Sequence, residues 1–210
     1  MHPDPLLDQI VDELRASYGC HTVILYGSRA RGEQRPGSDY DILGVRPAGE
    51  TLRDARLWNG VYLDLFVYPE AAIARPDASM LQCLGGVVLC QQGALGDEFL
   101  AALDALFRAG PRPLPPDEIA ARRVWAGKML ARARLGDAEA NYRRAWLLTA
   151  LLEDYFHLRG QWFLGPKQAL RWLREHDQAT YAAFDRALRP DASIDQIATL
   201  VARVVAPPDA

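Results

Sequence analysis

Two carboxylates one residue apart, Asp39 and Asp41, follow a glycine-serine turn, Gly27-Ser28, in a chain of 210 residues. On a strand, alternation sends both acids to one face. Like charges that close need a cation between them. The apolar run Thr22-Val23-Ile24-Leu25-Tyr26 reads as a buried strand, and the turn after it opens a short helix whose first backbone N–H groups can hold an anion. A third acid lies further on. In Val61 to Tyr68 the odd positions are Val, Leu, Leu and Val, whereas the even ones are Tyr62, Asp64, Phe66 and Tyr68. A lone carboxylate on an apolar strand is costly unless it is paired or bound to a metal. Carboxylates are the hard oxygen ligands that Mg²⁺ prefers, and two such ions about 3.5–4 Å apart activate a nucleophile and screen a leaving group on phosphorus.

The elements that must position these residues are legible on either side. Pro3 to Tyr18 carries Leu6, Leu7, Ile10, Val11 and Leu14 at helical period, with Asp4 near its start and Gly19 as its stop. Tyr40 to Val45 is expected as the second strand. Leu52 to Trp58 and Val61 to Tyr68 flank the hairpin signal Asn59-Gly60. Pro69 starts a short helix, Gly86 to Cys90 reads as a last strand, and Asp97 to Arg108 as an amphipathic helix. Pro111-Arg112-Pro113-Leu114-Pro115-Pro116 cannot continue a helix and marks a boundary. The expected organisation is a catalytic domain over 1–110, a proline-rich linker over 111–116 and a helical bundle over 117–210. Four helices are expected in the bundle, at about 117–135, 138–159, 166–187 and 192–205. The fold class is α+β: a small mixed sheet with flanking helices, then an all-α up-and-down bundle.

Composition narrows the function. Half the residues are hydrophobic and no apolar run approaches the ~18 residues of a membrane span. With no signal-peptide pattern at Met1-His2-Pro3-Asp4, a cytoplasmic protein is expected. Cys20, Cys83 and Cys90 lack the paired spacing of a zinc site and read as reduced core thiols. The formal net charge is −3; acids outnumber bases through residue 112, and the balance reverses after it. Neither half has the strongly basic balance that phosphate neutralisation demands of a protein acting on long nucleic acids. A small or cationic partner fits better.

The glycine-serine turn, the Asp-x-Asp pair and the later strand acid, in that order and spacing, resemble the signature of the DNA polymerase β-like nucleotidyltransferase superfamily. Gly27-Ser28-Arg29-Ala30-Arg31-Gly32 is closest to its small bacterial members, the minimal and the aminoglycoside and lincosamide nucleotidyltransferases. The resemblance implies transfer of a nucleoside monophosphate, most simply AMP from ATP, to a hydroxyl, with release of pyrophosphate. By the same resemblance Asp39 and Asp41 bind two Mg²⁺ ions, and Asp64 completes one site and helps deprotonate the acceptor. Gly27 and Ser28 hold the β- and γ-phosphates, Arg31 or Arg29 neutralises charge, and Ser38 joins the nucleotide-binding set.

The helical half resembles, in architecture, the substrate-side bundle of kanamycin-type enzymes. Glu153, beside Asp154 in an apolar helix, is the candidate acceptor-side base or else a surface acid. Lys167, one of only two lysines in the chain with Lys128, is a candidate phosphate contact or an exposed first-turn residue. The expected partners are a nucleoside triphosphate and a small hydroxyl acceptor of aminoglycoside type, with no long nucleic acid and no membrane; a homodimer is compatible. Alternatives are a protein-AMPylating or antitoxin-like module, and a HEPN-type ribonuclease using Arg171 and His176. Five positions apart on a regular helix, those two side chains diverge by about 140°.

Overall fold

A computed structural model describes residues 4–207. The chain divides into two compact units, one up to Ala109 and one from Gly110.

In the first unit, helix α1 (Pro5–Tyr18) is capped by Asp4, whose Oδ1 accepts from Leu6 N, and stops at Gly19 in the left-handed conformation. Strand β1 (Thr22–Tyr26) follows, then the single turn α2 (Gly27–Ala30), β2 (Tyr40–Arg46), β3 (Leu52–Trp58) and β4 (Val61–Pro69). Helix α3 (Glu70–Ile73), a 3₁₀ segment (Ala78–Cys83), β5 (Val87–Cys90) and α4 (Leu95–Ala109) complete it. The sheet order is β3-β4-β2-β1-β5, with β2 and β4 parallel and the other pairs antiparallel. Asn59 and Gly60 both have positive φ, 48° and 80°, as the two-residue hairpin turn between β3 and β4 requires.

One face of this sheet packs against α1, and the other carries Asp41 and Asp64. Ile10, Val11 and Leu14 of α1 pack with Val23, Leu25, Ile42, Leu63, Leu65 and Val67, all buried. Fully burying one such aliphatic side chain is worth roughly 1.5–3 kcal/mol, so the α1 face anchors the strands. Polar bonds on the same side fix the outer strand: Arg56 donates to Glu13 Oε1 (2.8 Å), and Tyr18 donates its hydroxyl to Asp54. Alternation then turns the remaining side chains of each strand toward the opposite face.

The second unit contains α5 (Pro116–Ala133), α6 (Ala138–His157), α7 (Pro166–His176), α8 (Gln178–Ala187) and α9 (Ile194–Val205), with no strand among its described residues. Its core gathers Met129, Leu147, Leu151, Leu173, Phe184, Ile197, Leu200 and Val204. The expected helix 166–187 is two helices. Asp177 ends the first and caps the second, accepting from Thr180 N (3.0 Å), Thr180 Oγ1 (2.6 Å) and Tyr155 Oη (2.8 Å). An Asx side chain that bonds the backbone ahead of it offers the chain a helix start in place of a helix interior, a signal hidden by the continuous apolar period around it. Cys20, Cys83 and Cys90 are unpaired thiols, the first two buried. Among the described residues no helix is long and apolar enough to cross a membrane.

Burial alone would raise the pKa of Asp177, but the bonds from Thr180 and Tyr155 and the charge of Arg203 outweigh it and hold it below the usual carboxylate value. A depressed native pKa contributes stability that is present above the unfolded value, about 3.9, and lost as the pH falls through the native value. Asp177→Asn is expected to cost about 1–2 kcal/mol at pH 7. In denaturant titrations at several pH values, the gap between wild type and variant should close below pH 4. A gap constant with pH would contradict the assignment.

Candidate active site

Register brings the acids together. Across the sheet, Tyr26 of β1 pairs with Asp41 of β2, Asp41 with Asp64 of β4, and Asp64 with Ala55 of β3. Cα partners share a face, so Asp41 and Asp64 stand side by side on parallel strands about 4.8 Å apart. Asp39 precedes β2 by one residue, two positions from Asp41. The next row on this face is Ile24, Leu43, Phe66 and Arg53.

The turn meets the acids at Gly27. Its φ is +70°, and a Cβ there would overlap Asp41 Oδ2 and stand 2.7 Å from Asp41 Cγ. Glycine is required twice over, by the left-handed backbone and by the carboxylate lying against it. Ser28 is buried, and its carbonyl accepts from Glu33 N (2.8 Å), folding the segment after α2 back onto the turn. Because α2 is a single turn, it offers backbone N–H groups but little accumulated dipole.

The two arginines have different tasks. Arg29 donates from Nε to Asp39 O (3.0 Å) and from Nη2 to Ser38 O (2.8 Å), and its guanidinium carbon lies 3.7 Å from the Tyr40 ring centroid. Arg29 therefore ties the glycine-serine turn to the Asp-x-Asp segment. Arg31 pairs through Nε with Glu33 (3.1 Å), while its buried Nη1 has no hydrogen-bond partner. Ser38 accepts from Arg35 N through Oγ (2.9 Å), closing the loop that delivers Asp39.

Asp64 is held rather than isolated. Arg53 donates from Nε to Oδ1 and from Nη2 to Oδ2, both at 2.8 Å. The two-residue hairpin carries the signal for this pair: with Trp58 opposite Val61, Ala55 falls opposite Asp64 and Arg53 one same-face step away. Behind the acids, burial first and then the charge of Asp41 push the Cys83 thiol up to about 12. Burial, then Cys83, Asp41 and Asp64, raise the Tyr26 hydroxyl well above its ordinary value. Both groups stay neutral near pH 7 and supply no positive charge to the acids.

Among the described residues no three His, Cys, Asp or Glu side chains are gathered closely enough to hold a metal ion. By chemical type the donors suit a hard divalent cation, being carboxylates, with Asp41 and Asp64 in register and Asp39 two residues from Asp41.

The candidates in the second unit occupy separate places on its helices. Glu153 lies on the exposed side of α6, with Oε1 3.5 Å from His157 Nδ1. Its neighbour Asp154 is buried and bonded to Arg122, which also holds Glu118 Oε1 (2.8 Å). Lys167 is exposed in the first turn of α7. His176 ends that helix with its ring stacked on Trp172 at 4.7 Å, and Arg171 lies five positions before it on the same helix.

Residues 7–74 match the family model of the nucleotidyltransferase domain. That span runs from α1 through α3 and includes the turn and all three acids. Over residues 7–74, the first unit is similar to a nucleotidyltransferase domain. Among solved structures, the chain is similar to a nucleotidyltransferase-like protein from Exiguobacterium sibiricum 255-15, at 14% identity over 94% of this chain and 71% of that one, with a TM-score of 0.41. No curated protein matches the chain.

Gly27→Ala places a methyl where the nucleotidyltransferase domain has the Asp41 carboxylate. The expected result is a destabilisation of about 1–2 kcal/mol from the backbone alone, with nucleotidyl transfer reduced at least about 100-fold through misplaced Asp41. Denaturant melts together with pyrophosphate-release assays check this; wild-type activity in Gly27→Ala would refute the placement.

Proposed function

We propose that the protein moves AMP from ATP to a hydroxyl of a small molecule such as an aminoglycoside-like compound, releasing pyrophosphate. The observation that carries this is the in-register pair Asp41 and Asp64 beside Gly27. Nucleotidyltransferase domains in general use a nucleoside triphosphate and divalent metal, and Asp39, Asp41 and Asp64 would hold Mg²⁺ here. When bound, the ions lower the pKa of the acceptor hydroxyl and screen charge on the departing pyrophosphate.

The chain's own groups do the rest. The acceptor oxygen attacks the α-phosphorus, the bond to the pyrophosphate oxygen breaks in line, and the hydroxyl proton passes to Asp64. Gly27 and Ser28 hold the β- and γ-phosphates through backbone and hydroxyl donors, with the unpartnered Nη1 of Arg31 as a nearby cationic donor. Arg29 and Ser38 act indirectly by fixing the loop that carries Asp39. The acceptor class is supported by the acidic first unit and by the absence of the strong basic excess that a long nucleic acid demands.

Purified Asp41→Asn and Asp64→Asn should lose at least about 100-fold of Mg²⁺-dependent pyrophosphate release while keeping the wild-type melting transition. An acceptor panel spanning aminoglycosides, neutral sugars, a tyrosine peptide and short RNA should show turnover with the first class. Turnover with RNA alone, or full activity in the double variant, would overturn the proposal.

A further inference from the structure

Asp64 is the acid whose surroundings differ most from those of a carboxylate open to a cation. Both of its oxygens are taken by one side chain, Arg53, in a two-pronged arrangement. The pair is lopsided: the Asp64 side chain is 15% exposed and that of Arg53 57%. Arg53 stands on β3, the edge strand, so its stem is anchored at the rim of the sheet. Its guanidinium carbon also lies 5.1 Å from the Phe66 ring centroid, which offers a second resting place on the same face.

We propose that Arg53 is a latch on Asp64, holding the carboxylate oriented while no divalent cation is bound and yielding it when the cation arrives. The inference rests on the reading of Asp64 as a metal ligand. The forked guanidinium suits the apo state, because it satisfies both oxygens at once and offsets the repulsion between acids on neighbouring strands. It also suits release, because an ion pair with one largely solvated partner is weak. A divalent cation carries twice the charge of the guanidinium and can engage Asp41 as well. Arg53 is thus a positioning residue acting through Asp64, and a cation that takes Asp64 as a ligand must first displace it.

Mn²⁺ binding to the full chain without nucleotide, followed calorimetrically at low ionic strength, tests the latch apart from catalysis. Wild type should show binding that Asp64→Asn weakens. Arg53→Gln should bind Mn²⁺ more tightly by about two- to five-fold, the range over which an exposed ion pair competes. Arg53→Lys, which keeps the charge but loses the fork, should fall between. A purely structural Arg53 would lower the melting temperature and leave Mn²⁺ affinity equal or weaker; should Arg53→Gln not fold, Arg53→Lys alone decides the direction. If Asp64→Asn weakens binding while the folded Arg53 variants do not tighten it, the latch is wrong and Asp64 remains a ligand. If Asp64→Asn leaves Mn²⁺ binding unchanged, the metal reading falls and the latch with it.

Discussion

Two carboxylates held in register on adjacent parallel strands repel each other, and the first unit is built so that they cannot move apart. Asp41 and Asp64 are fixed by the β2–β4 ladder, whose own position depends on the apolar face beneath it. A flexible loop would let the two acids separate and relieve the repulsion. A ladder seated on α1 keeps them together and creates a demand for positive charge, which Arg53 meets at Asp64. That demand connects the fold to the proposed chemistry, because nucleotidyl transfer develops negative charge on phosphate oxygens.

Each neighbour of the pair serves that constraint. Gly27 lets the turn approach Asp41 to within contact, which puts the turn's backbone donors beside the acids. Arg29 places its guanidinium on the carbonyls of Ser38 and Asp39 and on the Tyr40 ring, locking the loop. Arg53 answers the demand directly from the edge strand. Tyr26 and Cys83, kept neutral by burial, close the wall behind the acids without adding charge.

Much of this was legible in the sequence, for identifiable reasons. A continuous apolar run was enough to read β1 and local alternation to read β4, the Asn59-Gly60 turn announced the β3–β4 hairpin, and Asp64 stood out as the one acid of an apolar strand. What escaped depended on partners distant along the chain. The Arg53–Asp64 pair follows from hairpin register, but only once alternation is counted across the turn as well as along each strand. Arg29 reads as a charge-neutralising arginine, and its added role of holding the carbonyls of Ser38 and Asp39 shows only in the folded chain. The break at Asp177 was masked because apolar period continues through it, and only the side chain's bonds to Thr180 and Tyr155 reveal a cap. In the second unit, a charge inside an apolar helix marks a position that needs an explanation without saying which one: Asp154 is a buried ion-pair partner and Glu153 a surface acid.

The central claim, that Asp41 and Asp64 share a divalent cation beside the Gly27 turn, is tested most directly by anomalous diffraction from crystals grown with Mn²⁺ and a non-hydrolysable ATP analogue. The account predicts an anomalous peak within coordination distance of both carboxylates, with the triphosphate against Gly27 and Ser28. A peak elsewhere, or a nucleotide bound away from that turn with Asp64 still gripped by Arg53, would contradict it.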